Sequence, residues 1–288
     1  MLKFKYWFLE TKRNDSVVCY DAYDIASGRR VGTVENPRSS SNSTSCFVTE
    51  GSAIEVSEAF DAMFNEDLFL VDLLYNNMLT KSAENYNAIL TWSRCEAAAR
   101  HAIESGSNLQ AALEDAFNRS SYAVNWLSTT DFYEAPASTI YHESEVGGLL
   151  KHTFIAAYHA AMLSSLPVFE KVNPEDAIFV ALVHDWCKIG YYESYQKNVK
   201  NETTGQWEKQ TAFKRRDLSY SCLGHGVSSM YMAQKFFKLS IDECCAIRWH
   251  MGAWRVVDSE MNELQQANEA YPLVHLLQFA DQLSLVKY

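Results

Sequence analysis

The sequence has no long apolar run, since no stretch of its 288 residues approaches the roughly 18 to 20 uncharged apolar residues that a bilayer-spanning helix needs. Its first seven residues, MLKFKYW, also lack the apolar core and the small-residue cleavage site of a signal peptide. We therefore expect no membrane anchor and take the cytoplasm as the default compartment.

The seven cysteines lack the spacing of a disulfide frame or of a zinc knuckle. Their number is odd, Cys244 and Cys245 are neighbours, and no CxxC pair occurs. This pattern predicts buried thiols and excludes the class of small disulfide-stapled secreted domains.

Basic residues are also in deficit, with 25 Lys and Arg against 36 Asp and Glu and a formal net charge of -11. A general nucleic-acid coat neutralises phosphates over a broad basic surface, so the acidic balance argues against that class. A small phosphorylated ligand is compatible with it, because a metal site supplies local positive charge that the net count ignores.

Apolar residues are abundant, and the 48% hydrophobic content is ample for a core in one large domain or two ordinary ones. Strand-like runs at 4–9, 17–20 and 30–34 predict a small strand-rich segment in residues 1–50. The polar residues 37–45 predict an exposed loop.

Residues 51–129 carry apolar side chains at helical spacing, which predicts several amphipathic helices. One of these helices is expected to start with Ser107 or Asn108 as its cap. The region has no chemical signature, and its role is open.

Residues 130–288 differ in kind, because each helical pattern there carries a His or Asp near an apolar face. These patterns cover 149–163, 174–187, 226–238, 241–251 and 271–285. They predict a helical bundle lined with ligands. Residues 191–213 alternate apolar and polar side chains around a Thr-Thr-Gly turn, which predicts a hairpin inserted between two of the helices.

The adjacent pair His184 and Asp185 stands where an apolar run ends, and it combines a borderline nitrogen ligand with a hard oxygen ligand. Four further candidates lie on other predicted helices or helix starts. Together the candidate metal ligands are His152, His184, Asp185, His225, His250 and Asp281. Metal chemistry at phosphate needs such a mixture of imidazole and carboxylate, with open positions for water.

The order His, His-Asp, His, His, Asp resembles the HD-domain superfamily of metal-dependent phosphohydrolases. The sequence motifs around these residues strengthen the resemblance. Residues 131–153, DFYEAPASTIYHESEVGGLLKHT, are similar to a segment of HD proteins related to a bacterial 3′-to-5′ exoribonuclease. Further similar words are VHDWCK at 183–188, LGHG at 223–226 and FAD at 279–281. The resemblance covers about residues 130–285 and implies a mainly α fold, with an HD helical bundle preceded by a small α+β region.

The resemblance implies one metal ion held by His152, His184, Asp185 and Asp281 together. Asp185 would then bridge to a second ion held by His225 and His250. The relatives commonly have two consecutive histidines where this chain has only His250. A single-metal enzyme, in which His225 and His250 bind substrate phosphate, is therefore an alternative.

Five further residues are candidates for contacting the substrate. Lys188, three residues after Asp185, matches the family's His-Asp-x-x-Lys and is expected to act beside it in catalysis and to reach a phosphate. His142 fits the family's motif in residues 131–153. Lys214, Arg215 and Arg216 belong to the local positive excess of the predicted hairpin, where aromatic residues are interleaved. A solvated lysine and a solvated hairpin are the alternatives.

The expected function is a divalent-metal phosphohydrolase in which metal-activated water cleaves a phosphomonoester or phosphodiester of a nucleotide or short oligonucleotide. The ion can be Mn, Fe, Co, Ni, Mg or Zn, because His and carboxylate ligands hold all of them. One alternative is a 3′-to-5′ exonuclease on single-stranded nucleic acid, and another is a non-catalytic nucleotide sensor. The sequence does not indicate the oligomeric state.

Overall fold

The computed structural model describes residues 5–14, 16–37, 44–76, 82–139, 143–216, 220–254 and 256–286. Within these ranges, side chains are described except at 13, 64–73, 75, 76, 220 and 221. No helix in the described ranges is both long enough and apolar enough to cross a membrane.

The N-terminal strands form a four-stranded antiparallel meander in the order β1-β2-β3-β4. Their bounds are β1 (Tyr6–Arg13), β2 (Val17–Asp24), β3 (Arg30–Pro37) and β4 (Ser45–Val48). The three predicted strands are confirmed. The predicted loop was drawn too wide, because Pro37 ends β3 and Ser45 begins β4; residues 38–43 between them lie outside the described residues.

Nine α-helices lie in the described ranges. Their bounds are α1 (Ala53–Asn76), α2 (Ala83–Ser105), α3 (Leu109–Leu127), α4 (Gly148–Ser164), α5 (Pro174–Val183), α6 (His225–Gln234), α7 (Ile241–Trp249), α8 (Met261–Ala270) and α9 (Pro272–Leu283). The predicted cap of α3 is confirmed at Asn108, whose Oδ1 accepts a hydrogen bond of 3.0 Å from the backbone N–H of Ala111.

The predicted hairpin is confirmed as strands β5 (Tyr192–Lys200) and β6 (Trp207–Arg215), which pair only with each other among the described strands. The helical predictions need correction in three places, and one of them is α6, which ends at Gln234 and not at Lys238. Helix α5 ends at Val183, not at Cys187, and a short 3-10 turn over Trp186–Lys188 follows it. Helix α8 was missed, because only Leu264 and Ala267 of its ten residues are buried and the apolar signal is correspondingly thin.

The chain divides into two compact units, and each combines separate stretches of sequence. The first unit contains Met1–Leu73 and Thr91–Asn118, and the second contains Leu74–Leu90 and Arg119–Tyr288. The domain boundaries predicted at residues 50 and 129 stay predictions, because the two compact units divide the chain at other positions.

In the first unit the sheet buries both of its faces, since side chains alternate along each strand. Phe8 and Tyr20 pack with Phe60 of α1, and the Phe8 and Phe60 rings meet edge to face at 5.1 Å. Trp7, on the other face, packs with Ala99 and neighbouring residues of α2 and α3.

In the second unit α5 is the central helix, and every side chain from Ala177 to Val183 is buried. Its start is fixed by the Asn173 side chain, which accepts from the backbone N–H of Glu175, and by Pro174 in the first turn. A helix that is apolar all round must be covered on every side. Its C-terminal end therefore lies deep in the unit, and the His-Asp pair follows there.

Candidate metal centre

The structure brings the six candidate ligands together from five segments of the second unit. His152 lies within α4, His184 and Asp185 follow α5, and His225 begins α6. His250 directly follows α7, and Asp281 lies in α9. Three groups of three can hold a metal ion, since the ligand atoms within each group lie within 4.8 Å of one another. These groups are His152, His184 and Asp185; His184, His250 and Asp281; and Asp185, His225 and His250.

Buried hydrogen bonds stabilise the turn that follows α5. Asp185 has φ -109° and ψ 16°, a sparsely populated backbone region that stops the helix. Trp186, fully buried, donates from Nε1 to the Tyr86 hydroxyl at 2.9 Å, which in turn donates to the Leu182 carbonyl at 2.7 Å. This chain of bonds fixes the turn that presents the Asp185 carboxylate.

Helices α6 and α7 approach each other through a glycine. A Cβ atom on Gly226 would overlap the backbone carbonyl of Arg248, so only glycine allows this contact. The contact places the His225 and His250 rings 5.1 Å apart. The backbone N–H of Cys187 also donates to the Ser229 hydroxyl of α6 at 3.0 Å, which ties the turn after α5 to the same helix.

The innermost ligand atoms form a tight cluster around His152. Its Nε2 lies 3.2 Å from Nε2 of His184, 3.1 Å from Oδ2 of Asp185 and 3.2 Å from Oδ1 of Asp281. Nε2 of His184 lies 3.4 Å and 3.6 Å from the same two carboxylate oxygens. Four lone-pair atoms so close together suit one cation at their centre.

Asp185 faces two sets of ligands with its two oxygens. Oδ2 points to the cluster around His152, whereas Oδ1 lies 2.8 Å from Nε2 of His225 and 3.8 Å from Nε2 of His250. A carboxylate with its oxygens divided in this way is able to bridge two ions.

His250 provides the clearest structural evidence that this cluster could hold a metal ion. Its Nδ1 donates to the Ile247 carbonyl at 2.7 Å, which leaves Nε2 with the lone pair. This Nε2 is buried and has no hydrogen-bond partner in the described part of the chain. Burial, with His184 and His225 adding to it, lowers the pKa of His250 to about 3, so the imidazole is neutral and able to ligate. The donor set therefore fits a divalent metal ion.

Residues outside the ring of ligands orient the imidazoles, and sequence reasoning missed them. Nδ1 of His184 donates to the Ala181 carbonyl at 2.7 Å. Ser284 donates to the Asp281 carbonyl, so its Oγ is left to accept from Nδ1 of His152 at 3.0 Å. Such partners direct each Nε2 lone pair into the site. One sequence signal could have found some of these partners. A His directly after a helix can donate to the backbone carbonyl three residues earlier, as His184 and His250 do.

Cys187 belongs to the same group of orienting residues. Its Sγ lies 3.2 Å from Nδ1 of His225, while Nε2 of that ring faces Asp185. The sequence predicted that all seven cysteines are buried thiols, which is confirmed for Cys187 and Cys95; Cys222 is exposed, and the other four are half-buried. Nothing in the sequence pattern indicated that it would touch a ligand.

The charges of the site depend strongly on one another. Burial raises the pKa of Asp185 and of Asp281, but the charges of Lys188 and His184 beside Asp185, and hydrogen bonds from His152 and His184 to Asp281, outweigh it and hold both values well below the usual range. Burial lowers the pKa of His184 and of His225. In His184, Asp185 and Asp281 reverse this effect, and in His225, Cys187 and Asp185 do, so both pKa values reach about 10.

Lys188 lies beside the site, where its Nζ forms an ion pair of 2.6 Å with Oδ2 of Asp185. Its side chain is mostly buried, and Asp185 raises the pKa of this lysine against the effect of burial. The ammonium group is therefore held next to the predicted metal ligands, and its contact with a phosphate stays a prediction.

The other predicted substrate contacts are dispersed. Lys214 forms an ion pair of 2.7 Å with Glu193 across the hairpin. The Arg215 guanidinium lies 5.7 Å from the Tyr191 ring, and Nε of Arg216 donates to the Tyr192 carbonyl at 2.8 Å. His142 lies outside the described residues.

Comparison of this chain with models of protein families, with curated proteins and with solved structures gives no match in any of the three.

Proposed function

We propose that the chain is a divalent-metal-dependent phosphohydrolase of the HD-domain superfamily, acting on a phosphomonoester or phosphodiester of a nucleotide or short oligonucleotide. The observation that carries the proposal is the division of Asp185, with one oxygen toward His152 and the other toward His225. Six residues singled out by motif order converge in space, and that convergence does not depend on the resemblance itself.

His152, His184, Asp185 and Asp281 would hold one ion. Asp185 would share its second oxygen with an ion held by His225 and His250. Ions in such a site activate water and neutralise charge on the phosphoryl oxygens. The single-metal alternative keeps the first set and leaves His225 and His250 to bind phosphate.

The exposure of the ligands indicates the side from which a substrate approaches. Side chains of His152, His184, Asp185 and His250 are nearly inaccessible, whereas His225 is 36% exposed. A phosphate therefore reaches the site past His225. Lys188, paired with Oδ2 of Asp185, adds a positive charge at the same carboxylate.

The proposal is tested by metal content and turnover in the same samples. Asp185→Asn keeps the size of the side chain but removes its charge, so we expect loss of bound Mn²⁺ and at least about a hundredfold loss of turnover on bis(p-nitrophenyl) phosphate and p-nitrophenyl phosphate. His275→Ala, in the same helix as Asp281 but outside the cluster, is the matched control and should retain both. A wild-type protein that binds no divalent ion, or an Asp185→Asn variant with undiminished turnover, would contradict the proposal.

The same assays separate the alternatives. Release of mononucleotides from the 3′ end of a labelled strand would favour the exonuclease. Tight nucleotide binding with no turnover under any of Mn²⁺, Co²⁺, Ni²⁺ and Mg²⁺ would favour the non-catalytic sensor.

A further inference from the structure

The hairpin of β5 and β6 is exposed on both of its faces along most of its length. All side chains from Glu193 to Asn198 are exposed, as are those from Trp207 to Thr211. Trp207, an aromatic residue near the turn, is 70% exposed. A two-stranded ribbon without a covered face is only marginally stable in water, so an uncovered ribbon of this length calls for a ligand.

The strand register assigns each side chain to a face. Directly paired residues of an antiparallel ribbon lie on the same face, and the faces alternate along the strand. Gln196 donates to the Thr211 hydroxyl at 3.1 Å on one face. Lys214 pairs with Glu193 at 2.7 Å on the other. These cross-strand contacts agree with the register.

Charge and aromatic residues divide unequally between the two faces. The first, which we name the aromatic face, carries three aromatic side chains and three cations, and within the described strands it carries no carboxylate. Its residues of this kind are Tyr192, Lys200, Trp207, Lys209, Phe213 and Arg215. The opposite face is electrically balanced, with Glu193 and Glu208 against Lys197 and Lys214.

A ligand that matches the aromatic face must be negative along its length and must present flat rings. Single-stranded nucleic acid has both properties, since its phosphates pair with Lys and Arg and its bases stack on aromatic side chains. An acidic polypeptide would match the cations but would leave Trp207 unused. The nine-residue strands span about 26 Å, which about eight stacked nucleotides cover.

We infer that the aromatic face is a binding site for single-stranded oligonucleotide, leading from the turn of the hairpin toward the metal centre. Tyr192, at the base of this face, is buried and follows Lys188 by only four residues. The role of this binding site rests on the proposed function, because a strand bound there would bring its end to the phosphohydrolase site. The binding itself needs no metal.

The test compares the same charge reversal on opposite faces. Lys209 pairs with Asn198, and Lys197 pairs with Gln210, so the two lysines sit one step apart in the register on different faces. We expect Lys209→Glu to weaken binding of a fluorescein-labelled 12-nucleotide strand at least about fivefold in EDTA at low salt, and to reduce the salt slope of log K by about 0.7. Lys197→Glu should change neither quantity by more than twofold.

Stacking is tested by a second matched pair. Trp207→Ala on the aromatic face should weaken binding about fivefold or more, whereas Tyr195→Ala on the opposite face should not. Melting temperatures and far-ultraviolet circular dichroism check that all four variants are folded. Equal effects on both faces, absence of wild-type binding at low salt, or equal competition by polyglutamate with no effect of Trp207→Ala would each overturn the inference.

The two proposals fail separately. Face-selective binding in EDTA together with no turnover of bis(p-nitrophenyl) phosphate in Mn²⁺ removes the phosphohydrolase and keeps the oligonucleotide site. Turnover of the small diester without face-selective binding removes the site and keeps the phosphohydrolase.

Discussion

At the scale of single residues, the centre depends on which nitrogen of each imidazole carries a proton. Carbonyls of Ala181 and Ile247 take the Nδ1 protons of His184 and His250, so both Nε2 atoms point inward. Nδ1 of His225 faces the Cys187 thiol instead. A thiol is the weakest of these acceptors, which makes His225 the ligand most sensitive to its orienting neighbour.

The Cys187→Ala substitution removes that neighbour. We expect the affinity for the more weakly bound ion to fall about 10- to 100-fold, because the loss of an orienting partner usually has an effect of this size. Cys187→Ser, which keeps an acceptor, should recover most of the affinity, and Cys222→Ala at an exposed position is the control. Calorimetric titration with Mn²⁺ measures the effect, and an unaltered second affinity in Cys187→Ala would show that the thiol has no such role.

Protons compete with metal ions at the same nitrogens. The pKa values of His184 and His225 are about 10 in the metal-free protein, so both rings carry a proton at pH 7 that an ion must displace. Affinity should therefore rise with pH, by about tenfold per unit for each displaced proton, until pH approaches 10. His250, with a pKa of about 3, releases none. Dissociation constants at pH 6.5, 7.5 and 8.5 test this, and a flat profile would contradict it.

Sequence reasoning singled out all six residues of the cluster but only part of what positions them. Candidate ligands can be recognised from residue type and order, whereas the contact between Ser284 and His152 forms only when α9 packs against α4. The thiol of Cys187 likewise meets His225 only because the turn after α5 is tied to α6 through Ser229. Contacts of this kind are set by tertiary packing, and local pattern does not encode them.

At the scale of elements, helix ends build the site. Helices α5 and α7 end at it, and α6 begins at it. Periodicity predicted these helices well and their boundaries less well: the apolar run of α5 continues through Trp186 and Cys187, although the backbone breaks at Asp185. The break depends on the buried bonds of Trp186 and Tyr86, which lie 100 residues apart.

Gly226 is the element-scale position most open to test. In Gly226→Ala the added methyl group overlaps the Arg248 backbone, so α6 and α7 must separate, and His225 moves away from His250. We expect about 1–3 kcal/mol of destabilisation and a selective loss of affinity for one ion. Gly106→Ala, at a left-handed position with open space around it, is destabilising through backbone strain alone and should leave metal affinity unchanged. Denaturant unfolding and calorimetry measure the two effects separately.

At the scale of the whole molecule, the acidic net charge is compatible with the proposed function because charge is distributed unevenly. The net charge of -11 argues against a broad nucleic-acid surface, yet one face of the hairpin carries three cations and no carboxylate within the described strands. Composition cannot reveal such a division, because it depends on strand register. The register is defined by the pairing of Tyr192 with Arg215 and by the residue pairs that follow it along the two strands.

A bound ion should also stabilise the second unit as a whole. An ion present at about 100 times its dissociation constant adds about 2.7 kcal/mol to the free energy of unfolding. For a unit of this size, that corresponds to about 5 to 10 °C in melting temperature. Differential scanning calorimetry with Mn²⁺ and with EDTA measures the shift, and Asp185→Asn should show almost none. An equal shift in that variant would place the bound ions elsewhere on the protein.

The exposure of His225 has a kinetic consequence. In the proposed enzyme an ion would reach the inner cluster past His225, which is 36% exposed, or past Asp281, which is 14% exposed, because the other imidazoles and Asp185 are nearly inaccessible. The Cys187 thiol contact restrains the more exposed of these two side chains, so the rate of ion exchange should depend on the rotation of His225. A loaded protein should retain its inner ion through rapid dilution, and should release it faster once that restraint is removed.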